Sequence, residues 1–400
     1  MNYFFRYGGA MIGAAEKRAI NRVINSNYWP LASEGEKMEK EAAKFLGMKY
    51  GILANSGSSA GLLALASLEL PQGSEVIIPA TTFPTIFNII IQCGLIPVVV
   101  DSKVGTYNLD PDELEQAVRE KTRAIICVHA VGNPCDMPKV MKIAKKHKLY
   151  VIEDNCDGWG GELHGKKVGS FGHLSFTSFH AAHIVAMGQG GGVFTNDREL
   201  ARRARMYRDW GRQSDIERRT NGSKWPSLPA DQDARFIYEK IGWNLSPLEL
   251  QAAMGRVQLR KTAGIKARRK ANFKYLFKHL SKFGDLILPI WLDGADPSWF
   301  AFPLSTCGSR APLIAFLEKN GVETRSMFAG NILRHPAYKN VEYRTGGYLD
   351  DANYILEHSF WIGCHPRYGK RDLDRVIKLF DFFYAEPTNG YLNRPDKQGL

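Results

Sequence analysis

Apolar runs of strand length alternate with helically spaced segments from Tyr50 to about Asp197. Ser74–Pro79 (SEVIIP), Ile96–Asp101 (IPVVVD), Arg123–His129 (RAIICVH) and Leu149–Asp154 (LYVIED) are nearly continuous in apolar residues, as strands buried on both faces must be. Pro111–Lys121 and Pro138–His147 carry helical spacing between them. Leu174–Ser178 and Gly191–Asn196 add two further strands around a turn. The repetition predicts an α/β fold whose mostly parallel, mixed sheet is covered on both faces. After Pro247 the pattern changes. Leu248–Leu280 reads as one long helix, Trp299–Thr306 as an apolar strand, and another helix starts at Ala311. We expect a large domain over residues 1–250 and a smaller C-terminal α+β domain over 251–385. Lys224–Asp233 reads as a loop. Residues 386–400, with two prolines and no apolar periodicity, are expected to form an extended or disordered tail.

Length and composition narrow the class. A chain of 400 residues exceeds one small core and suits two lobes. With 44% apolar and 24% charged residues it reads as a soluble globular protein. Lysine and arginine exceed aspartate and glutamate by 53 to 41, a formal net charge of +12. A nucleic-acid binder concentrates such a surplus in one patch. Here the densest group, Arg202, Arg203, Arg205, Arg208 and Arg212, lies in a helix-like stretch with acids interspersed. An enzyme that meets phosphate-bearing small molecules is the better reading, with no nucleic-acid partner. No stretch reaches the ~18 apolar residues of a membrane span, and Met1–Gly13 lacks the apolar core of a secretory signal. The six cysteines form no CxxC or CxC pair, so no metal site is expected. Free thiols in a reducing cytoplasm are the expected state.

Three segments carry candidate chemistry. Asn55–Ala60 (NSGSSA) joins a strand-like run to a helix, and its small residues would expose backbone N–H groups to a phosphate. A plain helix cap explains it about as well. Glu153–Asp157 (EDNCD) ends a strand, where ligands of open α/β sheets sit; an aspartate capping the next turn is the competing explanation. The third segment, Ser178–His183 (SFHAAH), is followed by Gly188–Gly192 (GQGGG). These glycines precede a strand instead of opening a helix, which defeats a dinucleotide-binding reading. His180 and His183 have no further ligand at a matching spacing for a metal.

Taken in order, NSGSSA, PATTFPT (79–85), EDNCDGWGG (153–161), SFHAAHIVAMGQGG (178–191) and Gly242-Trp243-Asn244 with PLELQAAMG (247–255) resemble the sugar-nucleotide aminotransferases. These are pyridoxal-phosphate enzymes of type I, the aspartate aminotransferase fold. The resemblance, from about Asn27 to Tyr338, implies a homodimer with shared sites. It implies that Gly57, Ser58 and Ser178 hold the cofactor phosphate, that Phe83 stacks on the pyridine ring and that Asp154 pairs with the ring nitrogen. Asp157, where the aminotransferases usually carry glutamine, would approach the ring hydroxyl, and Asn244 would reach the phosphate of the other subunit. A carboxylate opposite the ring nitrogen keeps it protonated, which makes the ring an electron sink.

One departure changes the implied activity. Four positions after Phe179, where the aminotransferases carry the lysine that bonds covalently to the cofactor, stands His183, and no lysine occurs between Lys167 and Lys224. A histidine can still move protons. The exchange resembles the 4-keto-6-deoxyhexose 3-dehydratases, which use pyridoxamine phosphate to remove a sugar hydroxyl. Phe328-Ala329-Gly330-Asn331 resembles their FAGN-type loop, so Phe328 and Asn331 are expected at the substrate. Arg325 upstream could hold a carboxylate or phosphate, or be a plain surface arginine. One kind of 3-dehydratase carries an iron–sulfur cluster after an RDWGR-like segment, and Arg208–Arg212 (RDWGR) resembles it. Yet no cysteine lies between Cys156 and Cys307, so no cluster is expected. Gln189 replaces the usual glutamate of the GEGG turn, and nothing in the sequence explains it. The leading expectation is a dehydratase of a nucleotide-linked 4-keto-6-deoxyhexose, regenerated by an amino donor, glutamate. The alternatives are an aminotransferase whose lysine was replaced and a non-catalytic binding or regulatory protein of this fold.

Overall fold

Alternation within single strands decides how the chain layers. The structure, a computed structural model, describes residues 3–213, 227–229 and 231–385. The expected tail (386–400) and residues 224–226 and 230 of the Lys224–Asp233 loop lie outside the described residues. In chain order the strands are β1 (Tyr50–Ala54), β2 (Glu75–Pro79), β3 (Ile96–Val100), β4 (Thr122–Val128), β5 (Tyr150–Asp154), β6 (Glu162–Leu163), β7 (Lys166–Lys167), β8 (Leu174–Ser178) and β9 (Gly191–Thr195). After the long helix Glu249–Leu280 come β10 (Leu286–Ile287), β11 (Ala295–Asp296), β12 (Phe302–Thr306), β13 (Thr324–Ser326), β14 (Arg344–Thr345) and β15 (Ser359–Ile362). Eight strands form one sheet in the order β1-β9-β8-β5-β4-β2-β3-β14. Within it only β9 runs against the others. Val76, Ile78, Ala124 and Ile126 enter a core shared with helices Gly57–Ala66 and Pro84–Gln92. Their neighbours Ile77, Ile125 and Cys127 enter a second core with helices Pro111–Ala117 and Met137–His147. Both faces are therefore covered, as the near-continuous apolar runs require.

The second lobe is an antiparallel sheet, β10-β12-β15-β13. It shares a core with the far half of the long helix through Phe273, Leu276 and Leu280. The near half of that helix packs Ala253 and Val257 on Ala19 and Val23. The lobes are not consecutive in sequence. Phe5 lies in the second core and bridges Val322, while β14 joins the large sheet beside β3, so the 1–250 and 251–385 division is crossed in both directions.

Two elements are shorter than their patterns predict. The helix expected to Lys121 ends at Ala117, because the chain must return to start β4 at Thr122 against Glu75. The strand expected from Trp299 begins at Phe302. Upstream of it, Ser298 and Phe300 donate their amides to Gly132 and Val131 (3.1 and 2.9 Å) instead of to the sheet. This close approach needs glycine: Gly132 has φ +86°, and a Cβ there would lie 2.1 Å from the Ser298 carbonyl oxygen. We expect Gly132→Ala to cost about 2–4 kcal/mol in chemical denaturation, from left-handed strain plus a backbone clash.

Candidate active site

The carboxyl-terminal ends of β4, β5 and β8 open into one cavity of about 450 Å³. One end of it is the turn after β1. There Ser56 caps helix Gly57–Ala66 by accepting from the Ser59 amide at 3.0 Å. The helix leaves the first-turn amides of Gly57 and Ser58 without an intrahelical acceptor, and both residues line the cavity. Ser178, at the end of β8, packs so closely that a Cβ on Gly57 would come within 2.6 Å of its own. The Ser58 hydroxyl bonds to that of Thr85 at 2.7 Å, which ties the turn to the helix that Phe83 caps. Phe83 itself is 57% exposed and lines the cavity.

Asp154 ends β5 and is buried, with one oxygen accepting the Cys156 amide at 2.9 Å. Burial pushes its carboxyl up to about 6, and the nearby Asp157 charge adds to this, while bonds from Cys156 and the proximity of His129 pull back. The adjacent Glu153 is fully buried in the opposite setting. It accepts the amides of Gly169, Phe171 and Gly172 at 2.6–2.7 Å. It also meets His129 Nε2 at 3.0 Å. His129 Nδ1 accepts the Cys135 amide at 3.1 Å, so its proton belongs on Nε2, toward Glu153. His129 also lines the cavity.

The loop between β8 and β9 carries His183. Its amides close on themselves, Phe179 to Gly190, Ala181 to Gly188 and Met187 to Phe179, which fixes the turn. His183 Nδ1 lies 3.3 Å from Asp157 Oδ1, both side chains largely buried, though misaligned for a hydrogen bond. The carboxylate favours the proton on Nδ1 and leaves Nε2, without a protein partner among the described residues, as the basic nitrogen. Phe300 packs on the imidazole with centroids 5.2 Å apart. Behind Phe300, Val131 holds φ +51°, strained for a β-branched residue. Gln189 lines the cavity too, and its carbonyl accepts from the Gln251 side chain, tying this loop to the long helix. Burial, with His183 adding to it, lowers the His180 pKa.

The structure brings Gly57, Ser58, Phe83, Asp154, Asp157, Ser178, His183 and Phe328 together as lining residues of this cavity. Three expected residues are not among them. Arg325 pairs with Glu323 at 2.5 Å and lies over the Tyr7 ring at the edge. Asn331 is buried, caps the turn Ile332–Arg334 and donates to Asn353, so its position lends no support to a substrate contact. Asn244 is exposed on the segment that meets Asn55 through Leu245. Conversely Tyr7, His129, Phe300 and Trp361 line the cavity although no motif marked them.

The DegT/DnrJ/EryC1/StrS aminotransferase family model matches residues 10–381. A dTDP-4-dehydro-2,6-dideoxy-D-glucose 3-dehydratase of Saccharopolyspora spinosa is 37% identical over 402 residues, covering 96% of this chain and 87% of its own. The solved Escherichia coli GDP-4-keto-6-deoxy-D-mannose-3-dehydratase with bound hydrated PLP matches with TM-score 0.88 and 26% identity, over 95% of this chain and 100% of that one. A GDP-4-keto-6-deoxymannose-3-dehydratase with a trapped PLP–glutamate geminal diamine matches with TM-score 0.87 and 26% identity, over 94% and 99%.

Proposed function

The chain belongs to the DegT/DnrJ/EryC1/StrS aminotransferase family, and on that premise we propose a pyridoxamine-phosphate-dependent 3-dehydratase of a nucleotide-linked 4-keto-6-deoxyhexose. The observation that carries this reading is His183. It lines the cavity beside Asp157, and no lysine is among the described lining residues. The nearest lysines in sequence are engaged elsewhere: Lys167 pairs with Glu162, and Lys166 lies over Phe171. A covalent amine from the chain is thus replaced by a base.

The lining residues fit the cofactor. Gly57, Ser58 and Ser178 form a cradle at a helix N-terminus for its phosphate. Phe83 offers an exposed aromatic face for the ring, and Asp154 a buried carboxyl for the ring nitrogen. When bound, pyridoxamine phosphate supplies an amine for the C4 ketone of the sugar and a ring that accepts electrons as the C3 hydroxyl departs. Asp157, 3.3 Å from Nδ1, would hold the His183 imidazole so that Nε2 could take and return a proton at the cofactor's methylene carbon. Phe300 packs against the imidazole at 5.2 Å and limits its movement. Keto sugar and glutamate would give a 3-deoxy-4-ketosugar, 2-oxoglutarate and ammonia: glutamate would restore the amine and leave as the 2-oxo acid, with His183 again moving the proton.

Asn244 completes the phosphate site of a second subunit in this reading. Its exposed position beside Trp210, Tyr238 and Ile241, large apolar side chains left uncovered, supports a homodimer through this face. No helix among the described residues is long and apolar enough to cross a membrane.

Incubation with candidate 4-keto-6-deoxy sugar nucleotides, pyridoxal phosphate and glutamate should yield a product lacking one hydroxyl and release ammonia, read by mass spectrometry. An amino sugar product would identify an aminotransferase instead, and no turnover a binding protein. Borohydride should fail to fix pyridoxal phosphate to the chain, and iron and sulfide should be absent from the pure protein. A reduced adduct on Lys166 or Lys167, or stoichiometric iron bleached by dithionite, would overturn the mechanism.

A further inference from the structure

The cavity has two chemically different ends. The turn at Ser56–Ser58, Ser178 and Asp154 is polar and accounts for a phosphorylated pyridine ring. Past His183 the wall is aromatic: Phe300 meets Trp361 edge-on at 6.1 Å, and Trp361 meets Phe328 edge-on at 5.1 Å. Tyr7 joins this second group, not the phosphate turn, with its ring edge-on to Phe300 at 6.1 Å. The neighbouring Gly8 lies against Ala182, where a Cβ would come within 3.2 Å. The segment around Tyr7 therefore closes the cavity on the His183 side, where the sugar has to sit if the cofactor occupies the other end.

The ring is held by Phe300 on one side and Arg325 on another, and its backbone is tied to Glu323. The Tyr7 amide donates to Glu323 Oε2 at 3.2 Å, and Glu323 donates its own amide to Phe5 at 2.8 Å. The same carboxylate pairs through Oε1 with Arg325, whose guanidinium lies 4.9 Å over the Tyr7 ring. Held in this way, Tyr7 is only half-buried, and its hydroxyl has no hydrogen-bond partner among the described residues. A hydroxyl with a fixed ring and no protein partner, at an otherwise aromatic wall, suits a hexose. The C–H faces of a sugar pack on aromatic rings, and its hydroxyls need a partner to replace water.

Resting on the 3-dehydratase reading, we infer that Tyr7 is a specificity-determining residue whose hydroxyl hydrogen-bonds a hydroxyl of the nucleotide-linked keto sugar, with Glu323 and Arg325 as its positioning residues. The bond exists in both the bound substrate and the transition state, so its loss appears mainly in KM.

Tyr7→Phe keeps the ring and removes only the oxygen. With the holoenzyme and its keto sugar nucleotide, we expect KM to rise about ten-fold and kcat to stay within about two-fold. The spectral titration with pyridoxamine phosphate and the melting temperature should match the wild type. A kcat/KM within about two-fold of wild type overturns the inference. An equal loss in cofactor affinity does so too, because it would move Tyr7 to the cofactor. Wild-type protein that turns over no keto sugar nucleotide would sink the dehydratase reading and this inference together, whereas an active wild type with an unaffected Tyr7→Phe sinks this inference alone.

Discussion

His183→Asn should bind pyridoxamine phosphate with near-native affinity and lose dehydration by about 10²–10⁴-fold, the usual cost of removing a general base. Asparagine keeps the approximate size of the side chain and can still face Asp157, but offers no basic nitrogen toward the cavity. The contacts assigned to the cofactor phosphate and ring belong to other elements, Gly57 and Ser58 after β1 and Asp154 on β5, and are untouched. The competing role for His183 is to brace its turn, where its amide already bonds to His180 at 3.0 Å. In that case the variant would keep its rate, or lose cofactor and melting temperature together. Rate, cofactor affinity and melting temperature from one preparation distinguish these outcomes.

Asp154→Asn separates stability from function in opposite directions. In the cofactor-free protein, burial holds the Asp154 carboxyl at about 6, above the value near 3.9 of an unfolded chain. A raised carboxyl works against folding once the unfolded chain ionises. The cost is absent below about pH 4, grows between about pH 4 and 6, and is full above that, at about 3 kcal/mol. Asparagine removes the charge and can still accept the Cys156 amide. The cofactor-free variant should therefore be more stable than wild type at pH 8, by about 1–3 kcal/mol, and equal to it near pH 4. With no carboxylate to meet the ring nitrogen, dehydration should fall on the order of 10²-fold. Urea denaturation at both pH values, beside turnover at pH 8, tests the pair. A variant less stable than wild type at pH 8 would show that Asp154 is a structural acceptor rather than a buried charge kept for the cofactor.

Most of the large sheet was legible because the parallel strands β2 to β5 are buried on both faces and so leave nearly uninterrupted apolar runs. The polar half of the cavity was legible for a related reason. Gly57, Asp154, Ser178 and His183 each sit where a strand gives way to a turn or helix, so a short stretch of chain sets both their chemistry and their position. Pro111–Ala117 shows where a local pattern stops being decisive: its spacing would carry a helix to Lys121, but the distance back to β4 ends it earlier. Asn331 shows the same limit for function. Its FAGN-type loop resembled a substrate loop, while the folded chain spends the side chain on a cap and on Asn353.

The sequence by itself determined the α/β class, the small-residue turn before helix Gly57–Ala66, the carboxyl at the end of β5 and a histidine at position 183, because all of these are properties of contiguous residues. Only the tertiary structure decided which residues join Phe328 in the aromatic half of the site. Tyr7, Phe300, Phe328 and Trp361 come from four separate stretches, and what brings them together is nonlocal. Phe300 is drawn to the cavity by a backbone bond to Val131, and Tyr7 by a carboxylate on Glu323. Backbone donors must find acceptors somewhere in the fold, and which acceptor they find depends on chain closure rather than on the neighbouring residues.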